Sequence, residues 1–513
     1  MSVKIPDNVK VVWEPIKDTS QEFAIDSRAD DTLFYGTRGG GKSATQLMYF
    51  RKHVGLGYGQ FMKGVIFDRE FKNLSDLVAQ SKKFFSKFDD GAVFKASVSE
   101  YKWVWPTGEE LLFRHAKKVS DYDSYHGWEL PFIGFNELTK WPTSEFYDLM
   151  KSTNRCSFDP EADTPRDGKT GEYLTPDKKP LPPIPLKFFS TTNPSGPGRN
   201  WVKRKYIDAA PIGVFVKKTT KVFNPQTQQK EDYTHKQVAI FSSYKENKYL
   251  SPAYIAELEN ISDPNKRAAW LYGSWDHASG GCFDDLWRDK VHVKQRFRVP
   301  SNWRVDRSFD WGSSHPFSVC WFAEANGEAV RLPDGDMFCP PKGTIIQIYE
   351  WYGTDEIGTN RGIKMSAPDI ARGILEIEAM LKKQNWIEGK VWPGPADNQI
   401  GQTLQSDVET IEKKMKDYGV RWTKSDKTKG SRKNGFQLFR DRLESSVREE
   451  GQGFYFMNIC SASLEIIPFL ARDEKELDDV DTDSEEHIWD AIRYKVLSSL
   501  NRIASKIEVT YAY

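Results

Sequence analysis

The sequence predicts an α/β chain in three parts, and three observations carry that reading. Short apolar stretches alternate with helix-like stretches from residue 1 to 195. A glycine-rich octapeptide, Gly36 to Ser43, lies between a predicted strand and a predicted helix. Far downstream, Asp310, Asp397 and Asp490 fall in a strand, at the end of a second strand, and on a terminal helix. Strands alternating with helices point to a mostly parallel sheet with helices on its faces. The parts are placed at 1–195, at 196–302 as a small connector, and at 303–513.

The elements follow from apolar runs and their breakers. Asp31 to Tyr35 is a strand and Ser43 to Val54 the helix after it; Lys63 to Phe67 and Leu74 to Phe88 repeat the pair. Tyr101 to Trp105 and Glu110 to Phe113 form a strand pair around Pro106-Thr107-Gly108. Phe132 to Phe135 and Leu186 to Ser190 are short buried strands, separated by a Pro- and Gly-rich loop at 159–185. Ser195-Gly196-Pro197-Gly198 breaks the chain, and a basic stretch follows with Lys203, Arg204, Lys205, Lys217, Lys218 and Lys221. Helices are expected at Pro252 to Glu259 and Pro264 to Tyr272. The last part has strands at Arg307 to Asp310, Phe317 to Phe322, Thr344 to Trp351, Lys390 to Trp392 and Phe454 to Met457. Its helices are Pro368 to Gln384, Asp407 to Tyr418, Lys433 to Arg448 and His487 to Asn501.

Composition excludes several classes. The chain has 513 residues, with Lys+Arg and Asp+Glu both at 73, so a uniformly basic nucleic-acid coat is ruled out while a local basic face is not. Mean hydropathy is −0.63 and no apolar run approaches the ~20 residues of a membrane span. The start, MSVKIPDNVKVVW, has no signal-peptide apolar region, so secretion is not expected. Five scattered cysteines without a CxxC pair suit a reducing cytoplasm and argue against a disulfide framework or structural zinc.

Gly36-Thr37-Arg38-Gly39-Gly40-Gly41-Lys42-Ser43 fits GxxxxGK[ST] in the strand-to-helix context the motif requires. Such a loop turns backbone N–H groups inward around phosphate oxygens, aided by the helix N-terminus. Lys42 would reach the β- and γ-phosphates of ATP, and the Ser43 hydroxyl would ligate Mg²⁺. Arg38 is an extra cation that could act on the γ-phosphate in cis, and Gln21 could read the adenine edge. The partner strand is Phe132 to Phe135, ending in Asn136-Glu137. Glu137 is placed to orient or deprotonate water. Asn136 stands where an aspartate is usual, so hydrolysis is slow or another group supplies the charge. Thr191, Thr192 and Asn193 end the strand Leu186 to Ser190 and could sense the γ-phosphate. Together these features describe a P-loop fold of the RecA/ASCE type.

Asp310, Asp397 and Asp490, in their strand, strand and helix contexts, form the signature of a ribonuclease-H-like nuclease holding two Mg²⁺ or Mn²⁺ ions. Glu350 is the rival to Asp397. The acidic run Asp473 to Glu486 is a solvated loop or, through Asp483, Glu486 or His487, tunes the metal site. The basic residues between Arg421 and Arg448 are a solvated face or track a DNA backbone.

An ATPase, a coupling strand, a connector and such a nuclease resemble the large terminase subunit of tailed bacteriophages over nearly the whole chain. GTRGGGKS resembles its Walker A loop, FIGFNE its Walker B strand departing at Asn136, and STTNP its coupling motif. Tyr125-His126-Gly127-Trp128 and Leu271-Tyr272-Gly273-Ser274-Trp275 also look like family landmarks. The resemblance implies a motor that drives double-stranded DNA into a procapsid in the host cytoplasm and cuts concatemers. It implies a homo-oligomeric ring on the portal protein, a small terminase subunit that selects DNA, and no membrane. The sequence does not fix which residue supplies an arginine finger in trans; Arg69 and Arg155 are candidates. The alternatives are a DNA-repair helicase-nuclease and a DNA-binding assembly factor with a weakened ATPase.

Overall fold

The computed structural model describes residues 11–225, 227–275, 281–402, 409–473, 476, 478–482 and 484–504. The chain divides into two compact units at Ser279–Gly280.

The first unit is built on one nine-stranded sheet. Its strands are β1 (Asp31–Gly36), β2 (Lys63–Asp68), β3 (Val93–Lys95), β4 (Lys102–Val104), β5 (Glu110–His115), β6 (Phe132–Phe135), β7 (Lys187–Thr192), β8 (Val216–Asn224) and β9 (Gln229–Ser242). Their order is β3-β4-β5-β2-β6-β7-β1-β9-β8. β5, β2, β6, β7, β1 and β9 pair in parallel, and antiparallel β3–β4 and β8 close the two edges. The placement of β7 between the phosphate-loop strand and β6 is the RecA/ASCE arrangement. Central strands of a parallel sheet are covered on both faces, so they are apolar without alternation. β1 shows this, with Phe34 in one core and Leu33 and Tyr35 in the other. The helices Lys42–Arg51 and Phe71–Phe85 supply Leu47, Phe50, Leu74 and Leu77 to the first core.

Residues 196–302, expected as a separate connector, divide between the units. β8 and β9 extend the first sheet instead, with β9 running in register beside β1 from Asp31↔Gln237 to Gly36↔Ser242. The sequence pattern does not reveal these strands, because lysines and threonines at 217–236 dilute the apolar signal. The helices Pro252–Glu259 and Pro264–Leu271 form a small apolar cluster with Tyr244. Residues 281–302 belong to the second unit.

The second unit holds an eight-stranded sheet. β11 (Arg304–Asp310) pairs antiparallel with β12 (Ser318–Glu324), and β12 with β15 (Ile345–Tyr352). On its other side β11 pairs in parallel with β16 (Val391–Trp392) and β17 (Pro395–Ala396), and β17 with β18 (Thr423–Lys424). β15 pairs in parallel with β19 (Phe454–Met457), and β19 with β10 (Val293–Lys294); β13 (Val330–Arg331) and β14 (Met337–Phe338) form a separate hairpin. Three antiparallel strands followed by two parallel ones are the ribonuclease-H-like order. β12 alternates Val319, Trp321 and Ala323 into one core with Cys320 and Phe322 into the other. The helix His487–Ala504 covers this second face. The helix expected from Asp407 begins at Ile411, Asp407 itself lying outside the described residues. Glu474 and Asp483 of the acidic run also lie outside them. All five cysteines are free, and no described helix is long and apolar enough to cross a membrane.

One ion pair ties that helix to the sheet. Lys495 Nζ donates to Asp306 Oδ1 and Oδ2 at 2.6 and 2.8 Å, and both side chains are 0% exposed. Arg304 Nε also lies 3.3 Å from Asp306 Oδ2, so removing Lys495 takes the nearer and fully buried cation from Asp306, at a cost of up to about 3–5 kcal/mol. Lys495→Met is therefore expected to lower the denaturant midpoint of the second unit's unfolding by that equivalent. Asp306→Leu with Lys495→Met should recover most of the loss, and equal loss in both variants would remove the pair from this role.

Candidate functional site

Each unit brings polar residues together at the carboxyl ends of its central parallel strands, where ligands bind in open α/β sheets. In the first unit the loop after β1 meets the ends of β6 and β7. A Cβ on Gly36 would collide with the Ser242 carbonyl oxygen, and Gly41 caps the helix Lys42–Arg51 at φ 78°, so both positions demand glycine. The turn is held from the β9 side. Thr37 N donates to Ser242 O at 2.9 Å, Ser242 Oγ to Gly40 O at 2.6 Å, and Asn247 Nδ2 to Gly39 O at 2.6 Å. The residues that shape the loop thus lie some 200 positions downstream, as the sequence separation of 202 for Ser242–Gly40 records.

Lys42 is buried. Its amine donates to Thr37 O at 2.7 Å and to Asn193 Oδ1 at 2.9 Å. Asn193 also donates from Nδ2 to Glu137 Oε1 at 3.2 Å, and its backbone N–H to Glu137 Oε2 at 3.0 Å. One asparagine therefore joins the loop lysine to the strand-end glutamate. Burial pulls the Lys42 amine down to about 8, with Glu137 opposing and Arg38 adding to the fall. Glu137 sits at φ 57°, a strained conformation for a residue with a side chain, and such strain collects at working sites. Thr191 Oγ1 accepts from Glu137 N at 3.4 Å, while the Thr192 and Thr139 hydroxyls meet at 2.7 Å. Gln46 clamps both strand ends, donating to Phe135 O at 3.0 Å and Phe189 O at 2.7 Å.

Asn136 has a carboxylate beside it. Its Nδ2 donates to Asp68 Oδ2 at 2.8 Å, and Lys140 Nζ donates to both oxygens of Asp68 at 3.0 and 2.8 Å. Asp68 ends the neighbouring strand β2 and is fully buried. Sequence reasoning missed both Asp68 and Lys140. The available signal was the acid at the end of the next apolar strand.

The remaining first-unit candidates are dispersed around this centre. Gln21 Nε2 donates to Thr45 Oγ1 at 3.0 Å and its Oε1 accepts from Ile16 N at 2.9 Å, against the loop's helix. Ser43 is half-buried in the first helical turn. Arg38 is exposed, its guanidinium 3.3 Å from the Trp270 ring centre. Arg155 is exposed, but Arg69 is buried and donates to Lys140 O at 3.2 Å. Burial holds the Arg69 side chain inside the first unit, which does not fit the exposed guanidinium that a finger in trans would need.

In the second unit, parallel pairing of Phe309 with Ala396 brings Asp310 and Asp397 to adjacent strand ends, and Asp397 N donates to Phe309 O at 3.0 Å. His487, Asp490 and Tyr494 follow at helical spacing, so they share one face of the helix His487–Ala504. The Tyr494 hydroxyl lies 3.2 Å from Asp310 Oδ1 and 3.3 Å from Asp490 Oδ2. Lys427 Nζ donates to that hydroxyl at 2.9 Å and pairs with Asp397 Oδ1 at 3.2 Å. A hydroxyl and an ammonium thus hold the space among the three acids. Among the described residues, no three His, Cys, Asp or Glu side chains draw together as a metal-holding group. Burial pushes the Asp310 carboxyl up to about 6; His487 opposes this, and the Asp490 and Asp397 charges add to it. His487 Nδ1 lies 3.3 Å from Asp310 Oδ2, and although burial alone would lower its imidazole, that carboxylate raises it.

Two expectations change here. Glu350 is no rival to Asp397. It accepts from the N–H groups of Ala462 at 2.5 Å and Ser463 at 3.1 Å, from Ser463 Oγ at 2.6 Å and from Gln347 Nε2 at 3.0 Å, anchoring the start of the helix Ser461–Ile466. The basic stretch from Arg421 to Arg448 is an open face only in part: Arg421, Lys424, Lys429, Lys433 and Arg448 are exposed, whereas three arginines are tied into the fold. Arg432 bridges Asp479 at 2.7 Å and Glu486 at 2.9 Å, Arg440 pairs with Asp285, and Arg442 is buried with its guanidinium on Gly343 O at 3.0 Å.

No family model matches the chain, and no curated protein does. Among solved structures it is similar to the large terminase from a thermophilic bacteriophage, at 15% identity over 95% of this chain and 100% of that one, with a TM-score of 0.37. The HK97 bacteriophage large terminase is 11% identical over 94% of this chain and 95% of that one, at 0.42. The P22 large terminase nuclease domain is 18% identical over 44% of this chain and 93% of that one, at 0.30. These similar structures are large terminases of several phages.

Burial pushes the Glu350 carboxyl up to about 7, outweighing its four donors. Its folded value thus exceeds its ordinary one, so the folded state holds the proton more tightly. The resulting stability is fully present below the ordinary value of 4.5 and is lost as pH rises through about 7. Glu350→Gln is expected to flatten the decline in melting temperature across that window. An unchanged pH profile would show that Glu350 is ionised throughout.

Proposed function

We propose that the chain is a motor-nuclease that hydrolyses ATP to move double-stranded DNA and cuts it, as a large terminase does. The observation that carries the motor half is Asn193, which holds Lys42 through its carbonyl oxygen and Glu137 through its N–H groups. A γ-phosphate would take Lys42 from Asn193, and Asn193 and Glu137 would then rearrange together. That links nucleotide state to the strand-end segment Thr191-Thr192-Asn193 and to the residues after it.

The first-unit residues fit a magnesium nucleotide. A buried lysine amine rests on its own loop's carbonyl, Ser43 lies in the first helical turn, and Glu137 carries negative charge, Asp68 being paired with Lys140. Ser43 would hold the metal, with Asn136 and Glu137 beside it and the loop backbone around the phosphates. Bound magnesium neutralises charge on the β- and γ-phosphates. Glu137 orients water and accepts its proton, Arg38 leaves the Trp270 ring to reach the γ-phosphate, and Gln21 reads the base. Asp68 fixes the Asn136 amide by accepting from its Nδ2, so the carbonyl oxygen of Asn136 faces away. Asp68 is itself paired with Lys140, so it does not by itself replace the charge that an aspartate at 136 would bring.

In the second unit Asp310, Asp397 and Asp490 offer hard oxygen donors suited to Mg²⁺ or Mn²⁺. Asp310, Asp397 and Asp490 would hold such ions, which when bound would supply water activation and stabilisation of the leaving oxygen in phosphodiester cleavage. Lys427 would have to leave Asp397 for a divalent cation to enter, and His487 would hold Asp310 in orientation. The wider reading follows the terminase resemblance: a homo-oligomeric ring on a portal protein, a small terminase subunit, a procapsid, and the host cytoplasm. The parts remain an ATPase region 1–195, a linking region 196–302 and a nuclease region 303–513 in functional terms, although β8 and β9 are structurally of the first sheet.

Lys42→Ala should abolish ATP turnover and spare metal-dependent cleavage of plasmid DNA, whereas Asp310→Asn should do the reverse. Loss of both activities in either folded variant would sink the two-site reading. Strand separation by the parent on a forked duplex would favour the helicase-nuclease instead. Lys427→Met removes a cation that competes with the metal, so calorimetry should find Mn²⁺ bound several-fold more tightly; weaker binding would make Lys427 a support of the site rather than its plug.

A further inference from the structure

The β8–β9 ribbon carries an asymmetry that neither candidate site uses. Beyond the part of β9 that pairs with β1, residues 217–223 and 229–233 are exposed on both faces. Paired residues of an antiparallel ribbon share a face. One face therefore carries Lys217 opposite Lys236, Thr219 opposite Thr234, Lys221 opposite Asp232, and Phe223 opposite Lys230. The Thr219 and Thr234 hydroxyls meet at 2.8 Å on it. The other face carries Lys218 opposite His235, Thr220 opposite Tyr233, and Val222 opposite Glu231. With histidine neutral, the first face has four lysines against one aspartate, and the second has one lysine against one glutamate.

Among the described residues, Lys217, Lys221, Lys230 and Lys236 make no side-chain hydrogen bond or ion pair. Lys217 directly opposite Lys236 is a like-charge pair, which weakens a ribbon. Lysines on an edge strand also deter edge-to-edge pairing, but that purpose needs charge on the edge and not its segregation to one face. From Lys217 to Phe223 the face runs about 20 Å at the rise of a strand. That length matches about six base pairs along a duplex. A two-stranded ribbon is also narrow enough to enter a major groove.

We propose that the Lys217, Lys221, Lys230 and Lys236 face of this ribbon binds the phosphate backbone of double-stranded DNA without reading its sequence. The proposal rests on the reading of the chain as a DNA motor, and it assigns the contact to the first unit's sheet edge. The four ammonium groups neutralise phosphates and release counterions, and the ribbon's open faces leave room for the duplex.

The test is binding of the full chain to a random-sequence duplex by fluorescence anisotropy across a salt series. Each phosphate contact contributes about 0.9 to the slope of log K against log salt. Replacing the four lysines with glutamine should make that slope shallower by about 3 to 4, and replacing them with arginine should retain it. Lys218→Gln, on the opposite face, should leave it unchanged. A thermal melt checks that each variant is folded. Equal slopes for the parent and the glutamine variant would overturn the proposal while leaving DNA binding elsewhere intact. A comparable per-residue loss from Lys218→Gln would overturn the assignment to one face. Absence of salt-dependent duplex binding by the parent would overturn both this proposal and the motor reading.

Discussion

The in-register parallel pairing of β7 between β6 and β1 is the constraint on which the first unit depends. Pairing of Phe135 with Ser190 and of Tyr35 with Thr192 brings three strand ends to one level. The phosphate loop, Asn136-Glu137 and Thr191-Thr192-Asn193 follow those ends, so a slip of one strand would separate Lys42 from Asn193. Gln46 reinforces the alignment by donating to carbonyls of both β6 and β7. The second unit repeats the principle, with Phe309 beside Ala396 setting Asp310 next to Asp397. In both units the sheet is a buried scaffold, and the chemistry-bearing groups sit where its backbone hydrogen bonds run out.

Buried charge is handled differently at the two centres. In the first, Lys42 is neutralised only in part, because a neutral asparagine stands between it and Glu137. Burial without a direct counter-charge lowers its amine, which leaves the site poised to take an anion. In the second, every acid has a partner of its own: His487 for Asp310, Lys427 for Asp397, and Arg493 at 2.8 Å for Asp490. That pairing stabilises the fold and at the same time opposes entry of a cation. The acid cluster is thus paired within the fold, whereas the Lys42 amine rests on neutral oxygens.

Much of the architecture is legible in the sequence because each sheet strand near a site is a short apolar run bounded by Gly, Pro or an acid. β1, β2, β6, β7 and β19 fall within two residues of their expected ranges. The helices after Lys42 and before Asn501 follow from their periodicity. β8 and β9 escape because their distal halves pack against nothing, so no burial pattern is imposed on them. The two-unit division escapes for the same reason, since composition marks a change near Ser195 whereas hydrogen bonding to β1 continues to Ser242.

Residue order alone specifies the phosphate loop, its partner strand ending in Asn136-Glu137, and three aspartates placed on a strand, at a strand end and on a helix. Those are local facts, set by residue type, spacing and turn chemistry. Which charges face which is settled by the folded chain. Folding puts Asp68 and Lys140 beside Asn136, places Lys427 and Tyr494 among the acids, and turns Glu350 and Arg432 to structural work. It also sorts the ribbon lysines onto one face. Such pairings join residues tens to hundreds of positions apart. They depend on strand order and register, which no local pattern encodes.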